Sequence, residues 1–346
     1  MKNKNLLIWA SDLSLNTGEG ILAREFLTEI YKLTNYQKII IKTFEQTIHI
    51  NDLDIKKIHL KEFDQKNICH KYFGPIYGAI YLRFFSRKYE IIYLNYLPLW
   101  NFLIFFILPR KTILGPITGG LYRGGSNNLN LFIRKYFFPL FYNFSKFIIS
   151  IKFNKIIFST SILKSYIKKK KYILYNFVTI LFNKKICNKK KKYDIIFYNR
   201  DHDTKHSENV KKILIYLSKY CKICIIGDIF NHPNVKNFGW IERKSVFQLI
   251  QQSKIAFNSS ENFLSIFGID CVNYGIPVIS DSNIFSKARF KNKFYMRLDY
   301  NNLKKTCNKI LDLVSKNSIK QNSEYWNNIF LEKKKIRNFL YLYLLH

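Results

Sequence analysis

The sequence has no long apolar run. In its 346 residues, no stretch reaches the ~18 consecutive apolar residues of a membrane-spanning helix. The nearest candidate, LPLWNFLIFFILP at 97–109, is interrupted by Asn101 and ends at Pro109. At the N-terminus, the apolar run before Ser11 in MKNKNLLIWASD is too short for a signal-peptide core of about 7–15 residues. It predicts a buried first strand instead.

Metal-binding and nucleophilic motifs are also missing. Among seven histidines there is no HExxH motif, and His202 and His206 are expected to be solvated. Of six cysteines, only Cys221 and Cys224 are close together. They lie in YCKICIIGD, which predicts a buried strand rather than a redox or metal site. No DxD pair has a metal-holding context, and no serine or cysteine has a base partner. We therefore predict no metal and no cofactor.

Acidic residues are scarce. Lysine and arginine total 57 against 23 aspartates and glutamates, a formal charge of +34. Nucleic-acid binding would require a recognisable module, and no helix-turn-helix, RNP motif or zinc finger is present. Two interpretations stay open. One is attraction to an anionic membrane surface. The other is the residue bias of an AT-rich genome, which would explain much of the lysine.

The first half of the chain alternates between two patterns. Ile-rich runs without polar alternation predict buried parallel strands at 5–10, 38–44, 90–95, 111–117 and 155–159. Helical segments are predicted between them at 20–33, 75–85, 99–108 and 129–149. This order is typical of a doubly wound α/β domain, here assigned to residues 1–175.

A second alternating series follows a basic segment. Residues 176–192 include FNKKICNKKKK, whose charge density predicts a solvated linker. Strands are then predicted at 193–198, 222–226, 254–258 and 277–280, within a second domain at 193–322. The final residues, 323–346, predict a helix that could cross back to the first domain. The fold class is therefore α/β, with two Rossmann-like domains facing a cleft.

Two cations follow the first strand of the second domain. Arg200 and Lys205 lie in YNRDHDTKHSENVKKIL, at the carboxyl end of a strand and before a helix. A helix N-terminus favours anions, and a guanidinium with an ammonium would complete a diphosphate clamp. The alternative is a pair of ordinary surface charges, although arginine is much scarcer than lysine here.

Two acids follow a later strand, in FNSSENFLSIFGIDCVNYGIPVISD. Glu261 comes after Ser259 and Ser260, where its carboxylate could accept hydrogen bonds from sugar hydroxyls. Asp270 is expected in the first turn of the next helix, where it could accept from a ribose diol. The alternative for Asp270 is stabilisation of the helix dipole.

Glycine-rich segments mark the predicted domain 1–175. Gly18 and Gly20 lie between its first strand and first helix, where backbone N–H groups can approach a ligand. The segment LGPITGGLYRGG at 114–125 contains Gly119, Gly120 and Arg123 and would suit the edge of an active site. The alternative for Gly18 and Gly20 is a plain loop. The alternative for 114–125 is a long connection between helices.

These motifs resemble GT-B-fold glycosyltransferases of the retaining group 1 type, also called family 4, best over residues 172–282. Arg200 and Lys205 look like that family's diphosphate-binding pair, and Asn176 like the asparagine that opens its interdomain linker. The stretch from Glu261 through Asp270 to GIP is similar to its acid–acid–glycine–x–proline motif.

The chain departs from that family's pattern at several positions. Eight residues rather than seven separate Glu261 and Asp270, and the second acid is Asp rather than Glu. His206 stands where a glycine commonly follows the lysine. Asn95 occupies a place where histidine is often found.

The resemblance implies sugar transfer from a nucleotide-diphosphate-sugar donor to a hydroxyl acceptor, with retention at the anomeric carbon and no metal. Arg200 and Lys205 would stabilise the leaving diphosphate. Glu261 would hold the donor sugar and Asp270 the ribose.

The first domain would present the acceptor in this scheme. Along the cleft, Gly18 and Gly20 would bind the donor, and Asn95, Gly119, Gly120 and Arg123 would lie on the acceptor side. Closure of the two domains would exclude water.

Aromatic residues are frequent at 102–108 and 131–153 and mix with Lys and Arg in the second stretch, as in helices that lie at a membrane interface. We therefore expect a lipid-linked acceptor, a peripheral position on the inner face of the cytoplasmic membrane, and a role in bacterial surface polysaccharide or lipopolysaccharide synthesis. A core helix with a basic outer face is the alternative.

Three rival functions remain. A non-catalytic scaffold of a polysaccharide assembly complex would keep the fold and bind donor without transfer. A nucleotide-sugar epimerase or an inverting transferase would place a catalytic His or Asp in the first domain. A nucleic-acid binder would show affinity for DNA that falls steeply with salt.

Overall fold

The chain forms two compact units. Unit 1 comprises Met1–Tyr122, Asn127–Ile180 and Glu332–His346, and unit 2 comprises Arg123–Ser126 and Leu181–Leu331. The structure is a computed structural model that describes residues 5–15, 17–33, 36, 38–50, 73–118, 132, 136–159, 172–174, 176–185, 189–200, 207–257, 265–281, 295–296, 302–315 and 323–344.

Unit 1 contains a mostly parallel sheet with strand order β3-β2-β1-β4-β5-β6-β7. Only β3, which pairs with β2, runs antiparallel to its neighbour in the described pairings. The strands are β1 Asn5–Trp9, β2 Lys38–Lys42, β3 Thr47–Ile50, β4 Glu90–Pro98, β5 Ile113–Thr118, β6 Lys155–Phe158 and β7 Tyr172–Leu174.

Apolar runs explain why these segments form central strands. In β1, Leu6 through Trp9 are all buried, so both faces of the strand lie in the protein interior. A parallel sheet covered on both faces selects such sequences. The predicted strands of this half are confirmed, whereas β3 and β7 were not predicted because they are short and lack a continuous apolar run.

The helices of unit 1 pack around its sheet. They are α1 Gly18–Leu33, α2 Gly74–Phe85, α3 Phe102–Ile107 and α4 Phe138–Lys152, with a 3₁₀ helix at Phe177–Leu181. The prediction placed one helix at 129–149, but α4 begins at Phe138. Pro139 fits that first turn, where its missing N–H is not needed.

Unit 2 contains a parallel sheet with strand order β10-β9-β8-β11-β12-β13. This is the doubly wound order of Rossmann-like folds. Its strands are β8 Tyr193–Asn199, β9 Ile223–Gly227, β10 Val235–Asn237, β11 Ser253–Phe257, β12 Val278–Asp281 and β13 Tyr295–Met296. The predicted mixed α/β class with parallel sheets is confirmed.

Helices of unit 2 follow the pattern of its sequence. They are α5 Ser207–Leu217, α6 Arg243–Gln251, α7 Ile266–Asn273 and α8 Leu303–Ser315. The apolar stripe predicted on α5, at Val210, Ile213, Leu214 and Leu217, is fully buried against the sheet.

The last helix, α9 Ser323–Leu344, ends in unit 1. The Nε of Arg337 donates to Oε2 of Glu29 at 2.7 Å, and Glu29 on α1 is buried. The Nδ2 of Asn176 donates to Oε2 of Glu332 at 3.5 Å. These contacts hold the end of the chain on unit 1.

The basic segment is partly tied down. Its lysines at 189–192 are exposed, as the charge pattern predicts. Its backbone, however, donates from Lys185 to the carbonyl of Asn273 and from Lys192 to that of Gln252, both at 2.7 Å. The Oδ1 of Asn273 also accepts from the backbone N–H of Asn183 at 2.8 Å. The segment is therefore fixed to unit 2 near Lys185 and at Lys192.

Among the helices that the structure describes, none combines the length and hydropathy needed to cross a bilayer.

The α2–β1 contact gives a test of the packing in unit 1. A Cβ at Gly78 would lie 2.1 Å from the buried Trp9 ring, whereas one at Gly74 on the same helix would meet Phe44 at an ordinary 3.6 Å. We expect Gly78→Ala to lower the free energy of unfolding by about 1–3 kcal/mol despite better helix propensity. Gly74→Ala should stay within about 1 kcal/mol of wild type. Urea unfolding of both variants is the measurement, and equal midpoints would contradict the packing.

Candidate functional site

The strand order of unit 2 selects one position on its sheet. Strand order reverses between β8 and its neighbour β11, where Phe197 is level with Phe257. Ligands of such sheets bind beyond the carboxyl ends of the strands at this reversal. Arg200 follows β8 directly and is exposed there. Lys205 and Glu261 belong to the segments after β8 and β11 but lie outside the described residues.

The ends of β8 and β9 are joined through Asn199, whose side chain is buried. The side-chain Nδ2 of Asn199 donates to the backbone carbonyl of Asp228 at 2.9 Å. The backbone carbonyl of Asn199 accepts from the Asp228 N–H at 3.0 Å. The Oδ1 of Asn199 is buried without a hydrogen-bond partner in the described part of the chain. Arg200 therefore starts from a fixed backbone position.

Aromatic side chains surround this point, and the sequence analysis did not identify them as a group. The Tyr198 ring lies 6.0 Å from Trp240 and 5.9 Å from Phe267, between centroids. The Nε1 of Trp240 donates to Oδ1 of Asp228 at 2.9 Å. Burial raises the pKa of Tyr198, with Arg200 opposing the shift. Planar rings beside an exposed guanidinium suit a ligand that combines a flat group with an anion.

The helix that carries Asp270 begins with a side-chain cap. The Oγ of Ser265 accepts from the N–H of Gly268 at 2.9 Å, as an N-cap residue does. Asp270 lies about one turn into α7 and is buried. The prediction that Asp270 lies in the first turn of this helix is wrong, because α7 begins at Ile266 and has no acid in its first turn; the cap itself is Ser265.

Arg243, at the start of α6, binds the Asp270 carboxylate. The Nη2 of Arg243 lies 2.7 Å from Oδ1 and 3.0 Å from Oδ2, and Nε lies 3.2 Å from Oδ2. Burial raises the pKa of Asp270, while Arg243 and then Lys185 oppose the shift. The ribose contact of Asp270 stays a prediction. The pair fixes the carboxylate and leaves oxygen lone pairs for another donor.

Cation–π contacts extend this network from Arg243 to Lys185. The Arg243 guanidinium lies 5.1 Å from the Phe247 ring, and the Lys185 ammonium lies 4.7 Å from the same ring. Lys185 also lies 5.0 Å from the Tyr274 ring. These cation–π contacts connect the basic segment to α6 and α7. Sequence spacing gave no signal for the Lys185 contacts because their partners are distant along the chain.

In unit 1, the loop before α1 is held by its own side chains. The Oγ1 of Thr17 accepts from the Gly20 N–H at 3.0 Å and donates to Oδ2 of Asp12 at 2.6 Å. A Cβ at Gly20 would lie 2.1 Å from the carbonyl oxygen of Ser14. Close packing therefore explains Gly20 without a ligand. The donor-binding role of Gly18, the first residue of α1, and of Gly20 stays a prediction.

Glu19 lies between these two glycines and has a perturbed carboxyl group. Part of its side chain reaches the surface. Desolvation, with a smaller effect of the nearby Asp12 carboxylate, nevertheless raises the pKa of Glu19 to about 7. A carboxyl group with such a pKa can exchange a proton near neutral pH. The sequence analysis did not single out this residue.

The predicted acceptor-side residues are only partly described. Asn95 lies in β4, where the pairing with β5 shifts register between Leu94 and Leu97. Such irregularities are common beside functional sites. Gly119, Gly120 and Arg123 lie outside the described residues.

No group of three His, Cys, Asp or Glu side chains in the described ranges could hold a metal. Cys221 and Cys224 are buried free thiols, as predicted. Burial raises the pKa of Cys224 to about 12, so its reactive thiolate is disfavoured.

Two solved structures align with nearly the whole chain. Sucrose-phosphate synthase from Thermosynechococcus elongatus shares 11% identity at a TM-score of 0.53, over 97% of this chain and 94% of its own. Anabaena HepE, solved in complex with UDP and glucose, shares 12% identity at a TM-score of 0.51, over 97% and 93%. The chain has the GT-B fold. At these identities the likeness concerns the GT-B fold alone.

A third solved structure matches only part of this chain. The pneumococcal O-GlcNAc transferase GtfA, solved with UDP and GlcNAc, shares 13% identity over 59% of this chain. This chain spans about half of GtfA, 47%, at a TM-score of 0.41, too low to indicate a shared fold. No protein-family model and no curated protein matches the sequence.

The Arg243–Asp270 pair predicts a stability difference. Arg243→Gln leaves a buried carboxylate without its two-nitrogen partner. Because the Arg243 side chain is 33% exposed, we expect a loss of about 1–3 kcal/mol rather than the 3–5 kcal/mol of a fully buried pair. Lys254→Gln, which breaks the more exposed Lys254–Asp194 pair, is the matched control and should cost less than about 1 kcal/mol. Equal losses in chemical unfolding would rule out a structural role for the Arg243 pair.

Proposed function

We propose that the chain transfers a sugar from a nucleotide-diphosphate-sugar to a hydroxyl acceptor. The observation that carries this proposal is the exposed Arg200 directly beyond β8, at the reversal of strand order in unit 2. A positive side chain at that edge suits a diphosphate. The GT-B fold supports the proposal, and one structure with that fold, HepE, was solved with UDP and glucose.

Arg200 and Lys205 would stabilise the negative charge that develops as the nucleotide diphosphate leaves. Fixed cations aimed at developing charge are the largest expected contribution to such a reaction. Glu261 would hold the donor sugar through its hydroxyl groups. Asp270, oriented by Arg243, would accept from the ribose.

The aromatic residues around Arg200 would contact the nucleotide. Tyr198 and Trp240 present rings beside the Asp228 carboxylate. Base–aromatic stacking tolerates several bases. The proposal therefore leaves the donor base open.

Gly18 and Gly20 would bind the donor, and Asn95, Gly119, Gly120 and Arg123 would lie on the acceptor side. We propose that the acceptor is lipid-linked and that the protein works at the inner face of the cytoplasmic membrane, in surface polysaccharide or lipopolysaccharide synthesis. The exposed aromatic residues of α3 and α4 support a lipid-linked acceptor. Retention of configuration, family 4 type and independence of metal follow from the motif resemblance and are part of the proposal.

A second candidate is a non-catalytic relative that binds donor without transferring the sugar. Two observations favour it. The acids Glu261 and Asp270 have a shifted spacing, and the Asp270 carboxylate already has Arg243 as a partner. Release of free nucleotide diphosphate in the presence of an acceptor separates the two candidates.

Donor binding is the first test. A panel of UDP-, GDP-, ADP- and dTDP-sugars should contain one that raises the melting temperature by about 2–5 °C near saturation. Arg200→Ala should weaken the binding of that donor about 10- to 100-fold, because it removes a hydrogen bond between charged groups. Lys192→Ala is the matched control, since Lys192 is an exposed cation just before the same strand.

Comparison of the two variants separates a specific donor site from general attraction of anions. A donor effect that Arg200→Ala abolishes and Lys192→Ala preserves supports the site. Equal loss in both variants would indicate general attraction of anions to a basic protein. No shift with any donor, in protein shown to be folded, would contradict the proposal.

A further inference from the structure

Helix α4 has an apolar stripe on its outer side. Leu140, Phe144, Phe147 and Ile151 are 52%, 51%, 65% and 58% exposed. Their spacing of four, three and four residues places them along one face of the helix. A surface helix of a globular protein normally has polar residues on its solvent side, so this stripe needs a partner.

The opposite side of α4 packs against the core of unit 1. Ser145 and Ile149 are buried, and Ile149 belongs to the core of unit 1. Helix α4 is therefore docked along unit 1, and its stripe faces outward.

Helix α3 extends the same apolar surface. The Phe102 ring lies 5.5 Å from Phe141 and 6.0 Å from Phe144, so the two helices are in contact. Leu103 and Phe106 on α3 are 49% and 66% exposed. We call the surface formed by Leu103, Phe106, Leu140, Phe144, Phe147 and Ile151 the aromatic face.

Cations lie beside the aromatic face. Lys152 donates to the carbonyl of Phe105 at 3.2 Å and also to that of Phe106. Arg83 donates to the carbonyl of Ile107 at 3.0 Å. Burial, and then Arg83 and Arg110, lower the pKa of Lys152. Several positive charges are thus gathered near the end of α3.

No negative charge balances them locally in the sequence. Between Glu90 and Asp194 the chain has no aspartate or glutamate, and both α3 and α4 lie in this span. The aromatic face therefore belongs to a long stretch whose charged residues all have one sign.

The apolar side chains and the neighbouring cations together favour one kind of partner. In a symmetric dimer the same surface meets itself, and these cations would face each other. Nucleic acid would engage the cations but leave the apolar side chains without a matching surface. An anionic bilayer satisfies both, because its interface takes up aromatic rings and its headgroups attract Lys and Arg.

We propose that the aromatic face docks onto an anionic lipid bilayer, with α4 lying in the plane of the interface. Phe144, Phe147 and Ile151 enter the boundary between headgroups and acyl chains, while Arg83 and Lys152 stay with the headgroups. The surface brings unit 1 to a lipid-linked acceptor, and this last part rests on the proposed function. Bilayer binding itself does not require catalysis.

Vesicle co-sedimentation tests the docking. The full chain should bind vesicles of phosphatidylcholine with about one third phosphatidylglycerol much more tightly than pure phosphatidylcholine, and high salt should weaken this binding. The variant Phe147→Glu with Ile151→Glu should bind at least about tenfold more weakly. The neutral variant Phe147→Ser with Ile151→Ser should show an intermediate loss, because it keeps the net charge.

The matched control is Phe330→Glu with Leu331→Glu. These residues of α9 are 56% and 50% exposed and belong to unit 2, so the net charge changes equally on a different surface. The control should bind vesicles within about twofold of wild type. Equal loss in both glutamate variants would overturn the proposal, as would wild-type binding by the α4 variants. A wild-type oligomer that Phe147→Glu with Ile151→Glu turns into a monomer, with vesicle binding unchanged, would assign the face to a second copy and overturn it too.

Failure of this inference can be told apart from failure of the proposed function. The α4 glutamate variant should retain wild-type thermal shifts with soluble nucleotide-sugar, because α4 belongs to unit 1 and Arg200 to unit 2. Donor binding without vesicle binding would reject only the docking. Vesicle binding without donor binding would reject only the transfer reaction.

Discussion

The parallel pairing of β8 with β11 is the constraint on which the candidate site depends. Ile195, Ile196 and Phe197 pair with Ile255, Ala256 and Phe257, and all six are buried. Because the strands are parallel, the segments that follow them leave from the same edge of the sheet. The sheet thus places Arg200, the residue after β8, at the edge where β11 also ends. Local chain geometry alone could not bring residues so distant in sequence to one edge.

A second layer of contacts supports that edge. Asn199 joins the ends of β8 and β9, Ser265 caps α7, and Arg243 fixes Asp270. The side-chain amide of Asn199 donates to the backbone carbonyl of Asp228 in the loop after β9. The other two set the start of α7 and the direction of its acid. The edge therefore combines an exposed cation with a supported framework, an arrangement that limits the reorganisation needed when a charged ligand binds.

Much of the fold could be predicted from the sequence, because long Ile-rich runs and the stripe on α5 give strong signals. β10 and β13 were missed since three and two residues carry no periodicity. The Arg243–Asp270 pair was missed because it depends on how α6 packs beside α7. Asp270 was assigned to the right helix but lies beyond its first turn, whereas Lys205 and Glu261 stay predictions. The apolar character of α4 could be read from the sequence, but which side chains are exposed depends on the packing of Ile149 in the core.

A crystal structure of the full chain with a bound nucleotide-sugar is the most direct test of the central claim. The account predicts a diphosphate within hydrogen-bond distance, about 3 Å, of the Arg200 guanidinium at the carboxyl ends of β8 and β11. A nucleotide-sugar bound at any other edge of either sheet, with Arg200 left in solvent, would contradict it.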